Sequence, residues 1–405
     1  SLRFPEFTGE WKEERLSEIA DIYKGAGISK DQLSDNGEPC ILYGELYTKY
    51  KTETITEVIS RTDIDNTKLV RSKANDVIIP CSGETAEDIA TARCVIKDGI
   101  LLGGDLNIIR LHNYDGSFVG YQLNGKRKYD IAKVAQGVSV VHLYGEHLKG
   151  VKTVNPCLAE QKKISRFLSL LDERIAVQNR LIEDLKKLRC AIIENVFCSP
   201  NHNESALRFK GNTDPLSTYR MEDFCSRITR KNKDNQCSLV LTIAAQYGLV
   251  DQESFFNKTV ASENLAGYYL LHKGEFAYNR SYSAGYDWGA VKRLEKYPEG
   301  VLSTLYICFK IDESAVDSDY LAYYFESTKW HKGLSDIAGE GARNHGLLNV
   351  SVNDYFNTRH RFHCMREQKI IASMLNVISQ KENDEIALYD NYQKQKQYLL
   401  SKMFI

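Results

Sequence analysis

Residues 160–197 read EQKKISRFLSLLDERIAVQNRLIEDLKKLRCAIIENVF, and this segment sets the frame of the whole chain. It contains no Gly and no Pro, the residues that most often end a helix. Apolar residues recur at alternating steps of three and four, the heptad pattern of a helix that packs along another helix. The predicted seam, meaning the line of residues that faces the other helix, is interrupted at Gln178 and Arg189 and consists of Leu168, Leu171, Ile175, Ile182, Leu185 and Ile192.

A second copy of this segment lies at residues 367–404, at a constant offset of 207 residues (367 − 160). Both copies open with Glu-Gln-Lys and end on Phe. A single amphipathic surface helix would explain one copy, but two copies of equal length favour helices that pack on each other. The predicted seam of the second copy is weaker, above all around Glu382 and Glu385, and consists of Ile371, Leu375, Ile378, Tyr389, Tyr392 and Leu399.

The repeat extends beyond the helices. Leu2-Arg3-Phe4 returns as Leu207-Arg208-Phe209, and residues 16–20 match residues 221–225 in their order of apolar and polar side chains. The middles of the two halves hardly correspond, which indicates a tandem duplication with stable frames and divergent interiors. Two related halves usually lie about a pseudo-twofold axis, so we expect the two long helices to be antiparallel and to form a coiled coil.

Each half begins with short runs of β-branched and aromatic residues punctuated by Gly and Asn, which predict strands. A helical pattern follows in each half, at residues 118–135 and 320–337. The predicted fold class is therefore α+β, with two mixed α/β globular domains joined by two long antiparallel helices. The predicted segments are a first domain, a first long helix, a second domain and a second long helix, at residues 1–155, 156–200, 201–362 and 363–405.

The composition is that of an ordinary globular protein, with 42% hydrophobic and 26% charged residues in 405. No apolar run approaches the roughly 20 residues of a membrane span, and we expect a cytoplasmic protein. The ten cysteines form no Cys-x-x-Cys pair, so neither a zinc site nor a disulfide framework is indicated. A net charge of −1 argues against a simple electrostatic nucleic-acid binder.

Catalytic motifs are missing from the sequence. It contains no P-loop, and Gly25 and Gly27 lack the third glycine of a dinucleotide-binding fingerprint. The stretch 82–85 lacks the glycines of a nucleophile elbow. All seven prolines are isolated, which excludes the Asn/Asp-Pro-Pro-aromatic motif of amino-methyltransferases. We therefore expect no catalytic residue and no metal site in this chain.

Polar, aromatic and basic loops on a β scaffold remain as candidates for DNA contact. Arg, Asn and Gln read base edges, whereas Lys, Ser, Thr and Tyr commonly hold phosphates. The candidates in the first half are Lys24, Ser29, Lys30, Tyr43, Tyr47, Lys49, Ser82, Glu84, Thr85, Gln136, Ser139 and His142. Those in the second half are Arg227, Arg230, Lys231, Asn279, Arg280, Tyr282, Tyr286, Trp288, Arg343, Asn344 and His345.

Each candidate also has a simpler interpretation. Most of the 24 tyrosines suit half-buried strand positions, and exposed polar residues are common on any protein surface. His142 and His345 suit structural hydrogen bonds better than ligand binding. The prediction of DNA contact therefore rests on the candidates as groups of loops and not on any single residue.

The sequence resembles the specificity subunits of type I restriction-modification systems over essentially its whole length. The resemblance rests on both Glu-Gln-x-x-Ile helices and on residues 78–89, 274–290 and 341–349. It implies two target-recognition domains that each read one half of a split double-stranded DNA site, and a coiled coil that fixes their spacing. A helix of 38 residues is about 57 Å long at 1.5 Å per residue, enough to act as a spacer.

The same resemblance implies a non-catalytic subunit with several partners. Two methyltransferase (modification) subunits would dock on the repeated helices, and restriction subunits would join them. S-adenosylmethionine, ATP and Mg are expected on those partner subunits and not on this chain. Partner subunits that clamp the duplex would also explain the low net charge of this chain.

Two other functions stay open at this point. A tandem protein-interaction scaffold would show the same duplication without DNA contact, and its basic loop residues could be neutralised without loss of activity. A free-standing nuclease or DNA methyltransferase with an unrecognised motif would show turnover as a purified single chain.

Overall fold

The computed structural model describes residues 2–65, 68–137, 140–211, 214–257, 264–281, 285–337, 348 and 350–404. The chain divides into two compact units: unit 1 comprises Ser1–Arg180 and Ile386–Ile405, and unit 2 comprises Leu181–Glu385. Both divisions fall within long helices, so each unit contains a part of both helices. The boundaries expected from the sequence instead separate the helices from the globular parts.

The first half of the chain contains short strands and helices followed by one long helix. The strands are β1 (Lys12–Arg15), β2 (Ala20–Lys24), β3 (Glu38–Ile41), β4 (Thr54–Ile55), β5 (Ser60–Thr62), β6 (Val70–Arg71), β7 (Asp76–Pro80), β8 (Ser82–Gly83), β9 (Arg93–Val95), β10 (Leu101–Leu102), β11 (Leu106–Leu111), β12 (Val141–His142) and β13 (Lys152–Asn155). The helices are α1 (Leu16–Ile19), α2 (Glu45–Thr48), α3 (Ala86–Ile89), α4 (Gly116–Asn124), α5 (Lys128–Val134), α6 (Gly145–Lys149) and α7 (Leu158–Val196).

A five-stranded sheet in the order β2-β11-β7-β9-β4 forms the centre of unit 1, and a second sheet has the order β5-β3-β10-β6. The run Val77-Ile78-Ile79 in β7 explains why the central sheet is buried on both faces. Val77 and Ile79 face one hydrophobic core, whereas Ile78 faces another, because successive side chains of a strand point to opposite faces.

The second half of the chain repeats this plan. Its strands are β14 (Ser217–Arg220), β15 (Cys225–Arg227), β16 (Leu241–Ala244), β17 (Gly248–Asp251), β18 (Tyr269–His272), β19 (Phe276–Asn279), β20 (Ala290–Arg293), β21 (Glu299–Leu302), β22 (Ile307–Ile311) and β23 (Arg359–Phe362). Its helices are α8 (Met221–Phe224), α9 (Gln252–Phe256), α10 (Ser318–Tyr324), α11 (His331–Ile337), α12 (Val352–Asn357) and α13 (Met365–Met403).

The central sheets of the two units have the same strand order although their sequences hardly correspond. The order β15-β22-β19-β20 in unit 2 matches β2-β11-β7-β9 in unit 1, and neighbouring strands are antiparallel in both. A separate pair, β1 with β13 and β14 with β23, precedes each long helix. The duplication therefore includes the middle of each half as well as its matching start and end.

The repeated Glu-Gln of the long helices has a structural role in each unit. The Arg3 guanidinium donates to Glu160 at 2.7 Å in unit 1, and Arg208 donates to Glu367 at 3.2 Å in unit 2. The following glutamine accepts a hydrogen bond from the backbone N–H of the residue that caps an earlier helix, α4 in unit 1 and α10 in unit 2. These bonds are Asp115 to Gln161 at 2.9 Å and Asp317 to Gln368 at 2.8 Å.

The predicted helices at residues 118–135 and 320–337 are each two helices, so these predictions were too long. The first breaks at Gly125, where an added Cβ would lie 3.1 Å from the Leu400 carbonyl oxygen. The second breaks before Trp330, and the backbone N–H of Thr328 donates to Glu194 on α7 at 2.7 Å. In both cases a long helix packs against the break, and sequence periodicity alone does not register such a contact.

Polar residues occupy several places on the seams of α7 and α13. Residues of the predicted seam that are buried include Leu168, Ile175, Ile182, Ile371 and Leu375, while the others are partly buried. Gln178, predicted as an interruption, is 8% exposed. Glu382 and Glu385, where the second seam looked weak, are also buried. The fully buried residue beside the predicted Ile192 is Ile193.

The predicted fold class is confirmed, with two mixed α/β domains joined by two long helices. The two helices run antiparallel within each unit. In unit 1, Asp172 and Arg174 of α7 meet Lys396 and Tyr392 of α13. In unit 2, Arg189 of α7 meets Glu382 of α13 at 3.0 Å.

Candidate nucleic-acid interface

A cleft of about 310 Å³ opens on unit 1 between β2, β8, β12 and α6. Three residues proposed from the sequence, Lys24, Ser82 and His142, line it. Pairing of β8 with β12 places Ser82 opposite His142, and Ser82 Oγ lies 3.4 Å from His142 Nδ1. The Lys24 ammonium lies 3.6 Å from the Asp105 carboxylate at the same cleft. Strand pairing thus collects three loops that are far apart in sequence.

The cleft also contains side chains that the sequence analysis did not propose, namely Tyr23, Asn107, Tyr144 and Lys149. The Tyr144 ring stacks on His142 with centroids 6.2 Å apart. Asn107 is 3% exposed and its Nδ2 donates to the Leu143 carbonyl oxygen at 2.9 Å. Residue type gave no signal for these positions, because Tyr and Lys are frequent throughout the chain and only the strand register brings them together.

Gln136 belongs to the same surface. It exchanges two backbone hydrogen bonds with His142, at 2.9 and 2.7 Å. Its side chain is exposed beside the cleft. Lys24, Ser82, Gln136 and His142 therefore form one group, which we call the first-unit cleft group.

A second group on unit 1 is held mainly by contacts within the protein. Thr85 caps α3, accepting from the Asp88 backbone N–H at 3.0 Å. The Lys49 ammonium donates to Glu45 at 2.6 Å and to Ser60 at 2.9 Å. Burial raises the pKa of the half-buried Tyr47, with smaller contributions from Tyr43, Asp88 and Glu84. Tyr43, Tyr47, Glu84 and Thr85 consequently lie near one another, at the side of α3.

Ser29 and Lys30 lie on a separate exposed turn. Ser29 caps the short 3-10 helix Lys30–Gln32, and its backbone N–H donates to Gln32 Oε1 at 2.9 Å. The preceding loop runs close to another one: a Cβ on Gly25 would lie only 2.0 Å from the Gly103 carbonyl oxygen. Gly25 is therefore required for packing rather than for cradling a phosphate.

The basic cluster of the second half is tied to strand β18 and its neighbours. Arg230 donates to Glu275 at 2.6 Å and to the Leu270 carbonyl oxygen at 3.1 Å. The Lys231 ammonium donates to the Gly267 carbonyl oxygen at 2.7 Å and lies 4.1 Å from the Tyr269 ring centroid. Arg227 donates to the Tyr269 hydroxyl at 3.4 Å. These contacts orient the cluster, and the exposed parts of Arg227 and Arg230 face solvent.

Residues 279–281 and 285–288 lie at the end of β19 and between β19 and β20 of the central sheet of unit 2. Arg280 donates to the carbonyl oxygens of Val350 and Leu305, both at 3.1 Å. The Trp288 carbonyl oxygen accepts a hydrogen bond from the Tyr278 hydroxyl at 2.9 Å. Burial raises the pKa of Tyr286, and Asn279 accepts from the Ser281 backbone N–H at 3.0 Å. The structure thus gives Arg280 partners inside unit 2.

Some of the proposed residues lie outside the described part of the chain. They are Ser139, Tyr282, Arg343, Asn344 and His345. The residue after one of these segments is nevertheless placed, since the Leu348 backbone N–H donates to the Arg280 carbonyl oxygen at 3.0 Å. That bond ties residue 348 to the loop that carries Arg280.

Both long helices carry exposed apolar side chains away from their seams. On α7 these recur at steps of three, four and seven, and they are Phe167, Leu170, Val177, Leu181 and Leu188. On α13 they are Ile370, Val377 and Leu388. A shallow groove of about 510 Å³ follows the α13 part of this surface and includes Met374 and Ile378. We call these two sets of residues, one on each helix, the outer stripe; exposed apolar area of this kind commonly marks a protein interface.

The described residues provide no obvious place for a metal ion. No group of three or more His, Cys, Asp and Glu side chains among them is arranged to hold one. The ten cysteines are free thiols. In the same described part of the chain, no helix is both long and apolar enough to span a membrane.

Comparison with known proteins points to one family. Residues 8–187 match the family described as the type I restriction modification DNA specificity domain. A curated relative, the type I restriction enzyme MjaVIII specificity subunit of Methanocaldococcus jannaschii, is 25% identical over 197 residues. That match covers 48% of this chain and 43% of the relative, so the chain matches less than half of the relative's length.

Two solved structures have the same fold over nearly the whole chain. The type I restriction-modification system S subunit from M. genitalium has a TM-score of 0.59 at 15% identity, and the likeness covers 98% of this chain and 96% of that one. A chain from a structural study of complex assembly and conformational transition of the type I R-M system has a TM-score of 0.54 at 13% identity, with 97% of each chain covered. At these identities the likeness concerns the fold alone.

Proposed function

We propose that the chain, whose residues 8–187 match the type I restriction modification DNA specificity domain family, is a non-catalytic subunit that gives such a system its DNA sequence preference. Each unit would read one half of a bipartite, asymmetric double-stranded site. The observation that carries this proposal is the repeated sheet order with different loop side chains at its edges. A repeated scaffold that presents different side chains suits two different half-sites.

The first-unit cleft group supplies the chemistry for one half-site. Lys24 carries an ammonium group suited to phosphate oxygens and lies 3.6 Å from Asp105, whereas the neighbouring Lys149 is already paired with Glu146 at 2.6 Å. Ser82, Gln136 and His142 offer hydrogen-bond donors and acceptors that suit base edges in a groove. The stacking of Tyr144 on His142 and the pairing of β8 with β12 hold these groups in a fixed geometry. In unit 2 the corresponding proposals remain Arg227, Asn279 and Arg280.

The two long helices would set the gap between the half-sites. Each has 39 residues, which corresponds to about 58 Å at 1.5 Å per residue. A rigid helical pair keeps this distance constant, whereas a flexible linker would permit several gaps. We therefore expect one fixed gap in the recognised sequence.

The outer stripe would be the docking surface for two modification subunits, which in turn recruit restriction subunits. Apolar residues at helical spacing suit packing against helices of a partner. S-adenosylmethionine, ATP and Mg would be held by those partners. Since the partners would also contact the duplex, the net charge of −1 on this chain is compatible with DNA binding in the complex.

Binding-site selection from a random duplex library tests this assignment. The probe is the full chain assembled with the modification subunits of the same system. Ser82→Ala and His142→Gln should each change the preferred bases in one half-site and leave the other half-site unchanged. Ser314→Ala, at an exposed turn of unit 2 held by Asp312, is the control. A variant that loses base preference at both half-sites, or one that keeps the same preferred bases at both, would contradict the assignment.

A further inference from the structure

The connection between α4 and α5 of unit 1 carries an excess of positive charge that the sequence analysis did not consider. Residues 126–133 read KRKYDIAK, with four cations and one carboxylate. Asp130 lies 3.5 Å from Arg127 and balances one of the four. The other cations are Lys126, Lys128 and Lys133; the first and last are exposed, and Lys128 is half-buried.

These three lysines have no carboxylate partner within the described part of the chain. Tyr129 between them is 69% exposed, and the Lys133 ammonium lies 4.4 Å from its ring centroid. An exposed aromatic ring with a cation beside it is a poor choice for a solvated helix face, since burying the ring would gain more. It is a suitable arrangement for a surface that contacts the sugar-phosphate backbone.

The equivalent connection in unit 2 is built differently. There Glu326 accepts from Arg189 at 2.5 Å, and the Lys329 ammonium lies 3.4 Å from Glu194. Lys332 is paired with Asp336 at 2.5 Å, and Trp330 is buried. The same helix-break-helix element therefore folds with its charges neutralised. The unpaired charge in unit 1 is not a requirement of the fold.

The basic connection also lies next to the first-unit cleft group. Helix α5 packs on α3, which begins directly after the stretch Ser82 to Thr85. The chain then leaves α5 at Val134 and reaches Gln136 two residues later. A duplex seated on the cleft could therefore continue onto this surface, because consecutive phosphates on one strand recur every few ångström.

We propose that Lys126, Lys128, Lys133 and Tyr129 form a contact for the DNA backbone that flanks the half-site read by unit 1. This inference rests on the proposed function. The contact carries no base readout: the lysines hold phosphates and Tyr129 packs against a sugar. It adds an electrostatic contribution in unit 1 that the paired connection in unit 2 does not make.

The test is the salt dependence of DNA affinity for the full chain assembled with its modification subunits. DNA affinity falls as salt rises, so the slope of log affinity against log salt is negative. The variant Lys126→Ala/Lys128→Ala/Lys133→Ala should make this slope less steep by about 0.9 per lysine, or ~2.7 in all. Affinity for specific and for unrelated duplexes should fall by the same factor, which leaves their ratio unchanged. Lys329→Ala/Lys332→Ala is the matched control and should leave the slope unchanged, since those lysines are already paired.

Two further variants distinguish the loss of a DNA contact from misfolding. Lys126→Ala/Lys133→Ala removes only exposed side chains, so a slope decrease of about 1.8 in a complex with normal thermal unfolding excludes misfolding. Arginine at all three positions should restore the slope. An unchanged slope, or a changed preference for bases, overturns the inference. A wild-type complex without any preferred site contradicts the proposed function instead.

Discussion

Lys396 is a buried cation that pairs with two buried carboxylates of unit 1. Its ammonium lies 2.6 Å from Glu53 and 2.7 Å from Asp172, and the Tyr121 hydroxyl donates to Asp172 at 2.6 Å. Burial, followed by the neighbouring Glu53 carboxylate, raises the pKa of Asp172 to about 6. The lysine therefore keeps two buried carboxylates ionised. In the sequence it is only one more polar residue in a weak seam.

Removing this cation should destabilise unit 1 strongly. Lys396→Ala leaves two buried carboxylates without their direct ion-pair partner, and we expect a loss of about 3–5 kcal/mol in the free energy of unfolding. Denaturant unfolding at pH 7 measures it. Lys394→Ala, an exposed lysine on the same helix, is the matched control and should stay within about 0.5 kcal/mol of the parent. Equal stability of the two variants would contradict the role assigned to Lys396.

Two buried histidines should make unit 2 sensitive to acid. Burial lowers the pKa of His360 to about 3 and that of His363 to about 4. Both are neutral in the folded chain and take up a proton below about pH 6.5 when unfolded. Their contribution to stability is therefore complete above pH 6.5 and is lost as the pH falls towards 4. The slope approaches about 1.4 kcal/mol per pH unit for each histidine.

Tryptophan fluorescence can follow this loss in unit 2. Of the three tryptophans, Trp288 and Trp330 lie in unit 2, so a Trp11→Phe background reports on that unit alone. Denaturant unfolding at pH 7 and pH 5 should show a smaller pH effect in His363→Gln than in the parent. His272→Gln, which changes an exposed histidine, should behave as the parent does. A pH effect that survives His363→Gln undiminished would sink the explanation.

For single residues, the sequence indicated which loops come together better than it indicated which contacts each side chain makes. The polar and aromatic composition of the loops was sufficient to propose Lys24, Ser82, Gln136 and His142, which the fold brings together. It was not sufficient to find Tyr144 or Asn107, because their place at the cleft depends on strand register between distant segments. Arg230 and Arg280, proposed from the sequence as DNA contacts, have hydrogen-bond partners within the fold.

The long helices were the elements most accessible to sequence reasoning. Their existence followed from periodicity over five turns and more, and the structure gives them as Leu158–Val196 and Met365–Met403. The polar residues in their seams were misinterpreted as weak packing between the helices, because a hydrophobic pattern does not show that Glu382 is paired with Arg189. The breaks within the shorter helices were missed for a related reason: they depend on contacts with α7 and α13.

Shortening both long helices should shorten the gap between the half-sites. Removal of one heptad from each of α7 and α13 preserves the phase of the seam and shortens each helix by about 10.5 Å. We expect the gap to decrease by about 3 base pairs while the half-site sequences remain readable. Site selection with the assembled complex measures both quantities.

Removal of four residues from each helix is the control for this experiment. Four residues make one helical turn plus about 40°, so the deletion rotates the seam residues that follow it. We expect this variant to lose assembly of the complex rather than to change the gap between the half-sites. An unchanged gap after heptad removal, in a complex that still binds DNA, would exclude the helices as the spacer.

At the scale of the molecule the sequence predicted a duplication, and the fold extends it. The matching starts of the two halves and of the two long helices form the same ion pair in each unit, Arg3 with Glu160 and Arg208 with Glu367. The middles looked unrelated in sequence, yet the strand order of the central sheets is the same. Sheet topology tolerates wide substitution provided that the buried alternation is kept, so sequence comparison loses the correspondence first.

The proposed function requires that two related units read different half-sites across a fixed gap. The most direct measurement is methylome sequencing of a host that carries this chain with the modification subunits of its system. We predict one methylated motif made of two different half-sites separated by an unspecified segment of constant length. A contiguous or palindromic motif would contradict the proposed function.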